Sequence, residues 1–223
     1  MLVRELQAHR PLLMIGLTLV AGGVDALGYF RLGHVFVANM TGNVVLMAIA
    51  VAGGNASQAI RSLWALLGFM VGAFGASAMP SGRRVWVMVA AECVLLIVMA
   101  LLFWHAKIVH SRVDLGAIAV GSLAMGVQSR LARHVNLAGT ATTVVTSTLT
   151  QIMDDAVQFM SGRRPVGWSS RLAVFMAYAL GAGLAALGRR HPVLVLAALL
   201  LIVILLGLSV VRVWPVDDFP KHR

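Results

Sequence analysis

Eight apolar runs, each close to bilayer-crossing length, constrain this chain more than any other feature. They fall at about 11–30, 35–53, 61–80, 85–104, 113–130, 137–158, 170–188 and 191–212. A spanning helix needs about 20 mainly apolar residues. Polar or basic breaks separate the runs, among them Ser81-Gly82-Arg83-Arg84 and Gly188-Arg189-Arg190-His191. The chain is 60% hydrophobic and 12% charged, whereas soluble domains carry about 25% charged residues. A soluble chain of this composition could not cover its surface. The expected fold is therefore an all-α polytopic transmembrane bundle of six to eight spans, forming one integral membrane domain over 1–223. All five Trp lie near run ends, where an interfacial aromatic belt places them.

The net charge is +10. Lys and Arg sit in short clusters between apolar runs, which fits loops against anionic lipid and excludes a nucleic-acid partner. Cys93 is the lone cysteine, so an internal disulfide is excluded. No cleavage site follows the first run, which is expected to remain as a helix. Of the 18 Lys and Arg, 11 fall on the side of the N-terminus if all eight runs cross, against 7. If the second and sixth runs only enter and return, the division is 12 against 6. Both arrangements place the two termini in the cytoplasm. The charge bias does not choose between them.

Two halves, 11–105 and 112–212, read as related. Gly23-Val24-Asp25-Ala26 resembles Gly126-Val127-Gln128-Ser129, and Met40-Thr41-Gly42-Asn43 resembles Val145-Thr146-Ser147-Thr148. Phe69 to Ala73 resembles Tyr178 to Ala182, and Gly82-Arg83-Arg84 recurs as Gly188-Arg189-Arg190. Four matches in the same order point to duplication. Duplicated halves are common in transporters, with the site at their interface. Whether the halves are parallel or inverted stays open at this point.

Within the second run lies a polar, glycine-bearing stretch, Asn39-Met40-Thr41-Gly42-Asn43. Hydrocarbon tolerates such groups only where protein or a water-filled cavity receives them. Asn and Thr are good N-caps, so a helix starting near Thr41 would aim free amides at whatever precedes it. The same description fits Ala138 to Thr148 in the sixth run, where Thr140, Thr142 and Thr143 precede a second possible start and Thr146 and Thr148 complete the stretch. Broken helices are thus expected in the second and sixth runs. Together with Asp25 and Gln128, these residues form the candidate substrate site: Asp25, Asn39, Thr41, Gly42, Asn43, Gln128, Thr142, Thr146 and Thr148. The competing reading is interhelical packing and hydrogen bonding alone. Asp25 is a proton or cation site, or an interfacial partner of Arg31. Glu92 reads as a structural contact, and Asp154-Asp155 as a solvated helix end. No metal set and no cofactor are expected.

The motifs Gly23-x-Asp25, Ala38-Asn39-Met40-Thr41-Gly42-Asn43, Gly126-x-Gln128 and Thr142 to Thr148 resemble the YoaK family of bacterial multi-pass membrane proteins, a domain of unknown function. The resemblance covers about 11–212. It implies a multi-helix fold in the bacterial inner membrane and supplies no substrate. Enzyme signatures such as His-Glu-x-x-His and Gly-x-Ser-x-Gly are absent, and no enzyme is expected. The leading expectation is a transporter-like protein that moves a small polar or anionic solute between two repeats. The alternatives are a non-transporting scaffold or sensor subunit, and an intramembrane enzyme acting on lipid or quinone. The bilayer and an unknown small solute are the expected partners, and homo-oligomerisation is left open.

Overall fold

The computed structural model describes residues 2–79, 84–106, 112–134, 145–163, 165 and 167–213. They form eight α-helices: α1 Leu2–Arg31, α2 Met40–Ala52, α3 Ala56–Ala78, α4 Arg84–Ala106, α5 Arg112–His134, α6 Val145–Met160, α7 Trp168–Leu187 and α8 Pro192–Val213. No strand occurs among the described residues. The molecule is a polytopic helical bundle. Among the described residues, five segments are long and apolar enough to cross a membrane, in α1, α3, α4, α5 and α7. A shorter apolar helix, Met40–Ala52, accompanies them, and α8 is apolar over Pro192–Leu208. Large apolar side chains such as Ile49, Met70, Phe74, Leu101, Leu184 and Leu205 point outward, as a lipid-facing surface requires.

The helix ends follow local chemistry. Gly33 and His34 take positive φ, 80° and 61°, and turn the chain sharply at the end of α1. The side chain of Asn55 accepts from the Gln58 N–H at 3.1 Å and caps α3. Pro192 opens α8, where its missing N–H costs nothing.

The second run is not one straight helix. After Arg31 the chain folds back along α1, so that residues 37–39 lie beside Asp25, six positions before the helix end. At 1.5 Å per residue this return is about 9 Å deep. From there α2 runs 13 residues, about 20 Å and short of the ~30 Å hydrocarbon core. It packs on α3. The first turns of α3 sit beside the end of α1: Gln58 Nε2 donates to the His34 carbonyl at 3.2 Å, and the Arg61 guanidinium packs on Gly33. The chain thus dips in and comes back to the end it left. In the sixth run, α6 starts at Val145 and packs on α7; residues 135–144 lie outside the described ones.

Helix directions follow from facing residues. On the α3–α5 seam Gly68 meets the Ala119 carbonyl and Gly72 meets that of Leu123, so the two helices are parallel. On the α1–α7 seam Gly22 meets the Tyr178 carbonyl and Gly181 that of Leu19. Further along, the Arg189 guanidinium just past α7 lies over Phe30, so α1 and α7 also run parallel. The α4–α5 pair is antiparallel, with Glu92 against Gln128 and Met99 against Gly121. The α1–α8 pair is antiparallel too, with Gly16 against Leu206 and Gly23 against Leu199.

Bare glycine backbone forms both parallel seams, and close approach of helices in lipid depends on such small residues. Gly181→Leu would drive a side chain into the Leu19 carbonyl. It should lower stability by at least the ~1–3 kcal/mol typical of overpacking, seen as a lower melting temperature of the purified protein in detergent. Gly75→Ala, which meets open space, should stabilise by about 0.5–1 kcal/mol through helix propensity. Equal melting of the two variants would contradict the seam.

Candidate functional site

Asp25 organises the break in the second run. The N–H groups of Val37, Ala38 and Asn39 all donate to its Oδ1, at 2.8, 2.6 and 3.3 Å. The Tyr178 hydroxyl on α7 donates to Oδ2 at 2.5 Å. Asp25 is only 2% exposed. Three successive amides converging on one carboxyl oxygen form an anion-binding nest, and here the anion belongs to the protein itself. The suggested partner Arg31 is not among these contacts.

Neighbouring polar groups continue the pattern. Asn43, fully buried, clamps the backbone of Phe36: its Nδ2 donates to the Phe36 carbonyl at 2.5 Å and its Oδ1 accepts the Phe36 N–H at 3.0 Å. Asn39 caps α2, its Oδ1 accepting from the Gly42 N–H at 3.2 Å and from the Thr41 hydroxyl at 2.7 Å. A Cβ at Gly42 would strike the Phe36 ring. The structure therefore brings Asp25, Asn39, Thr41, Gly42 and Asn43 into one cluster, with Thr41 exposed and Asp25 and Asn43 buried.

The second-half residues lie elsewhere. Thr142 is outside the described residues, as is the side chain of Thr146. Thr148 is buried on α6, which packs on α7, whereas α2 packs on α3. Gln128 does not join Asp25: its Nε2 donates to Glu92 Oε1 at 2.8 Å, joining α5 to α4. Glu92 is 0% and Gln128 1% exposed. Among the described residues, Glu92 Oε2 and the buried Thr18 Oγ1 have no hydrogen-bond partner. These three side chains lie at the boundary between two apolar clusters. On α1, Leu13 and Leu17 belong to one cluster and Val20 and Val24 to the other. On α4, Met88 and Leu96 are divided in the same way, as are Leu131 and Ala124 on α5. The bundle thus carries a thin polar layer inside an apolar core.

Asp155 differs from expectation. It is buried and forms an ion pair with Arg171 of α7, because the amphipathic α6 turns that edge toward its neighbour. Sequence reasoning also missed Tyr178. The available signal was a hydroxyl in the middle of an apolar run, at a place where lipid offers no partner. Among the described residues no group of three or more His, Cys, Asp or Glu could hold a metal ion.

Beside Asp25 an open, almost wholly apolar groove of about 430 Å³ runs between α1 and α7. Tyr29, Phe30 and Phe36 border it on one side and Ala182, Gly183 and Ala186 on the other, with Asp25 and Tyr178 at its floor. Tyr29 stacks on Phe36 with ring centroids 5.7 Å apart.

Comparison with known proteins gives a coherent result. A family model described as "Protein of unknown function (DUF1275)" matches residues 13–211. The "UPF0700 transmembrane protein YoaK" of Bacillus subtilis (strain 168) is 36% identical over 163 residues, covering 70% of this chain and 69% of that protein. No solved structure matches.

The anchoring role of Asp25 has measurable consequences. Asp25→Ala strands three amides and a hydroxyl, and each buried unsatisfied group costs about 1–3 kcal/mol. The variant should lose at least ~3 kcal/mol in thermal or denaturant unfolding. Tyr178→Phe removes one donor and should lose about 1 kcal/mol. Asp25→Asn keeps an acceptor for the amides and should fall between wild type and Asp25→Ala. A melting temperature of Asp25→Ala equal to wild type would show that the break does not depend on this carboxyl.

Proposed function

The chain belongs to the DUF1275 family, a family of unknown function, and from its geometry we propose that it is a transporter built of two inverted, related halves. The observation that carries this reading is the buried Glu92–Gln128 pair on the α4–α5 seam, which joins one half to the other. Glu92 Oε2 has no partner there. Intramembrane carboxyl groups are costly and characteristically mark solute or ion pathways. The acceptor offered by Glu92 favours a small polar solute with hydrogen-bond donors over an anion.

The packing supports two halves. The seams α1–α7 and α3–α5 exchange when the halves exchange, as do α4–α5 with α8–α1 and α2–α3 with α6–α7. The glycine contacts set the correspondence: Gly22 against Tyr178 matches Gly126 against Phe69, and Gly181 against Leu19 matches Gly72 against Leu123. This pairs Asp25 with Ser129, one residue away from the match of Gly23 with Gly126. It also pairs Thr18 with Ser122, both buried hydroxyls without a partner. In this reading α1, α3, α4, α5, α7 and α8 cross, and the second and sixth runs enter and return. The halves are then opposite in direction, and the termini share the cytoplasmic side of the inner membrane.

Labelling tests the topology. In a Cys93→Ala background, Ser57→Cys at the start of α3 should react with an impermeant maleimide from outside the cell. Ser81→Cys, beyond the other end of α3, should react only after the membrane is opened. Labelling of both from one side would refute the arrangement.

Transport is tested with purified protein and a metabolite panel. A ligand at 100 times its Kd raises folding stability by about 2.7 kcal/mol, so a cognate solute should raise the melting temperature. Glu92→Gln preserves shape and should reduce that response at least tenfold in solute concentration, with uptake into proteoliposomes falling in parallel. A second reading, a non-transporting scaffold or sensor, is favoured by the internal pairing of Asp25, Asn39 and Asn43. A panel with no response, or a response unchanged in Glu92→Gln, would decide for it.

A further inference from the structure

We propose that the groove between α1 and α7 holds an acyl chain of an anionic membrane lipid, with the lipid phosphate at Arg189. This occupant is independent of whether the protein transports a solute.

The groove has the chemistry and the length for a lipid chain. Its walls are aromatic and small apolar residues, and its polar floor is closed to a ligand. Asp25 is buried and already accepts four hydrogen bonds. The surface open to the groove is almost wholly apolar, so a polar solute would gain little from it. Along α1 the groove extends from Gly22 to Phe30, eight positions, or about 12 Å. One leaflet of the hydrocarbon core is about 15 Å deep, half of ~30 Å. The groove thus runs through most of one leaflet, and it is open to the side along its length.

Its outer end is positively charged. The Arg189 guanidinium lies over the Phe30 ring, 5.6 Å from the centroid, and donates to the Ala186 carbonyl at 3.2 Å. Phe30 and Ala186 both border the groove. Arginine has five N–H donors, so one bond to Ala186 leaves the others for a phosphate. Arg31 adjoins Phe30 and Arg190 adjoins Arg189, and both are exposed. No carboxylate pairs with any of the three among the described residues. A cationic rim above an apolar slot matches an amphiphile with a negative head. A zwitterionic lipid presents its own cation to the same rim.

Gly183 allows a clean test. A Cβ there meets nothing within 4 Å, so Gly183→Phe can fill the groove without disturbing the helix seam. Full-length protein, stripped of lipid in detergent, would be titrated with phosphatidylglycerol, phosphatidylcholine or glycerol phosphate. The readouts are melting temperature and retained lipid by native mass spectrometry. Phosphatidylglycerol alone should raise the melting temperature and stay bound. Arg189→Gln should weaken it about fivefold, the ~1 kcal/mol expected of one basic residue at a lipid surface. Gly183→Phe should abolish retention while melting, in the absence of lipid, as wild type does. Equal effects of the two lipids would overturn the proposal, as would full binding of phosphatidylglycerol by both variants. Stabilisation by glycerol phosphate equal to that by phosphatidylglycerol would overturn the acyl-chain site and leave only a phosphate contact. Should Gly183→Phe fail to fold, Ala182→Leu takes its place with the same expected loss of lipid.

Discussion

A single buried carboxyl group holds open a break that the bilayer would otherwise forbid. Chain that leaves a helix inside hydrocarbon exposes amides that water cannot reach, each costing several kcal/mol. Asp25 collects three of them on one oxygen, and Tyr178 satisfies the other oxygen from a distant helix. Asn43 then returns both backbone bonds of Phe36, and Asn39 starts α2. The short re-entry of residues 32–39 is possible because every one of these groups has a protein partner. Because Tyr178 lies on α7, the same carboxyl also ties the break to the α1–α7 seam, so local chain geometry and helix packing depend on one interaction.

Much of this was legible in the sequence, for specific reasons. Eight apolar runs give eight helices because hydrocarbon leaves no alternative for an unpaired backbone. The polar stretch at Asn39 to Asn43 was recognisable as a break, since two Asn and a Gly inside an apolar run contradict a lipid-facing helix. The Asn39 cap is a local interaction across three residues. The partner of Asp25 was not legible, because Tyr178 is 153 positions away and nothing local couples the two. The same holds for Gln128: its resemblance to Asp25 came from flanking glycines, whereas its contact is set by the α4–α5 crossing. Asp155 looked like a solvated end because its partner Arg171 begins a different helix. Sequence matching also aligned Gly23 with Gly126, while the backbone contacts favour Gly22. In a run of small residues a one-position slip barely changes composition, yet it turns a helix by about 100° at 3.6 residues per turn.

The two kinds of polar group in this bundle have different consequences. The cluster around Asp25 is closed: each acceptor and amide named above meets another part of the chain, so it contributes rigidity and register. The layer of Thr18, Glu92 and Gln128 is open, since Glu92 Oε2 and Thr18 Oγ1 meet no donor or acceptor among the described residues. A half-satisfied buried network is worse for stability than an apolar core. Leucine at position 92 would lie between the buried Met88 and Leu96, one turn away on either side, with no polar atom left to satisfy.

That contrast is what separates the transport and scaffold readings. A scaffold has no use for an acceptor that lacks a donor, because the glycine seams already provide close, specific packing. A carrier does have a use for it. In the transport reading, a solute donor or a proton at Oε2 would supply the missing interaction, and its departure would restore the cost, so occupancy would bias any states that differ across the α4–α5 seam. The two parallel glycine seams, α1–α7 and α3–α5, bring bare backbone of one helix against the carbonyls of the next. The closed cluster at Asp25 and the open polar layer on the α4–α5 seam thus differ in whether the chain itself completes their hydrogen bonds.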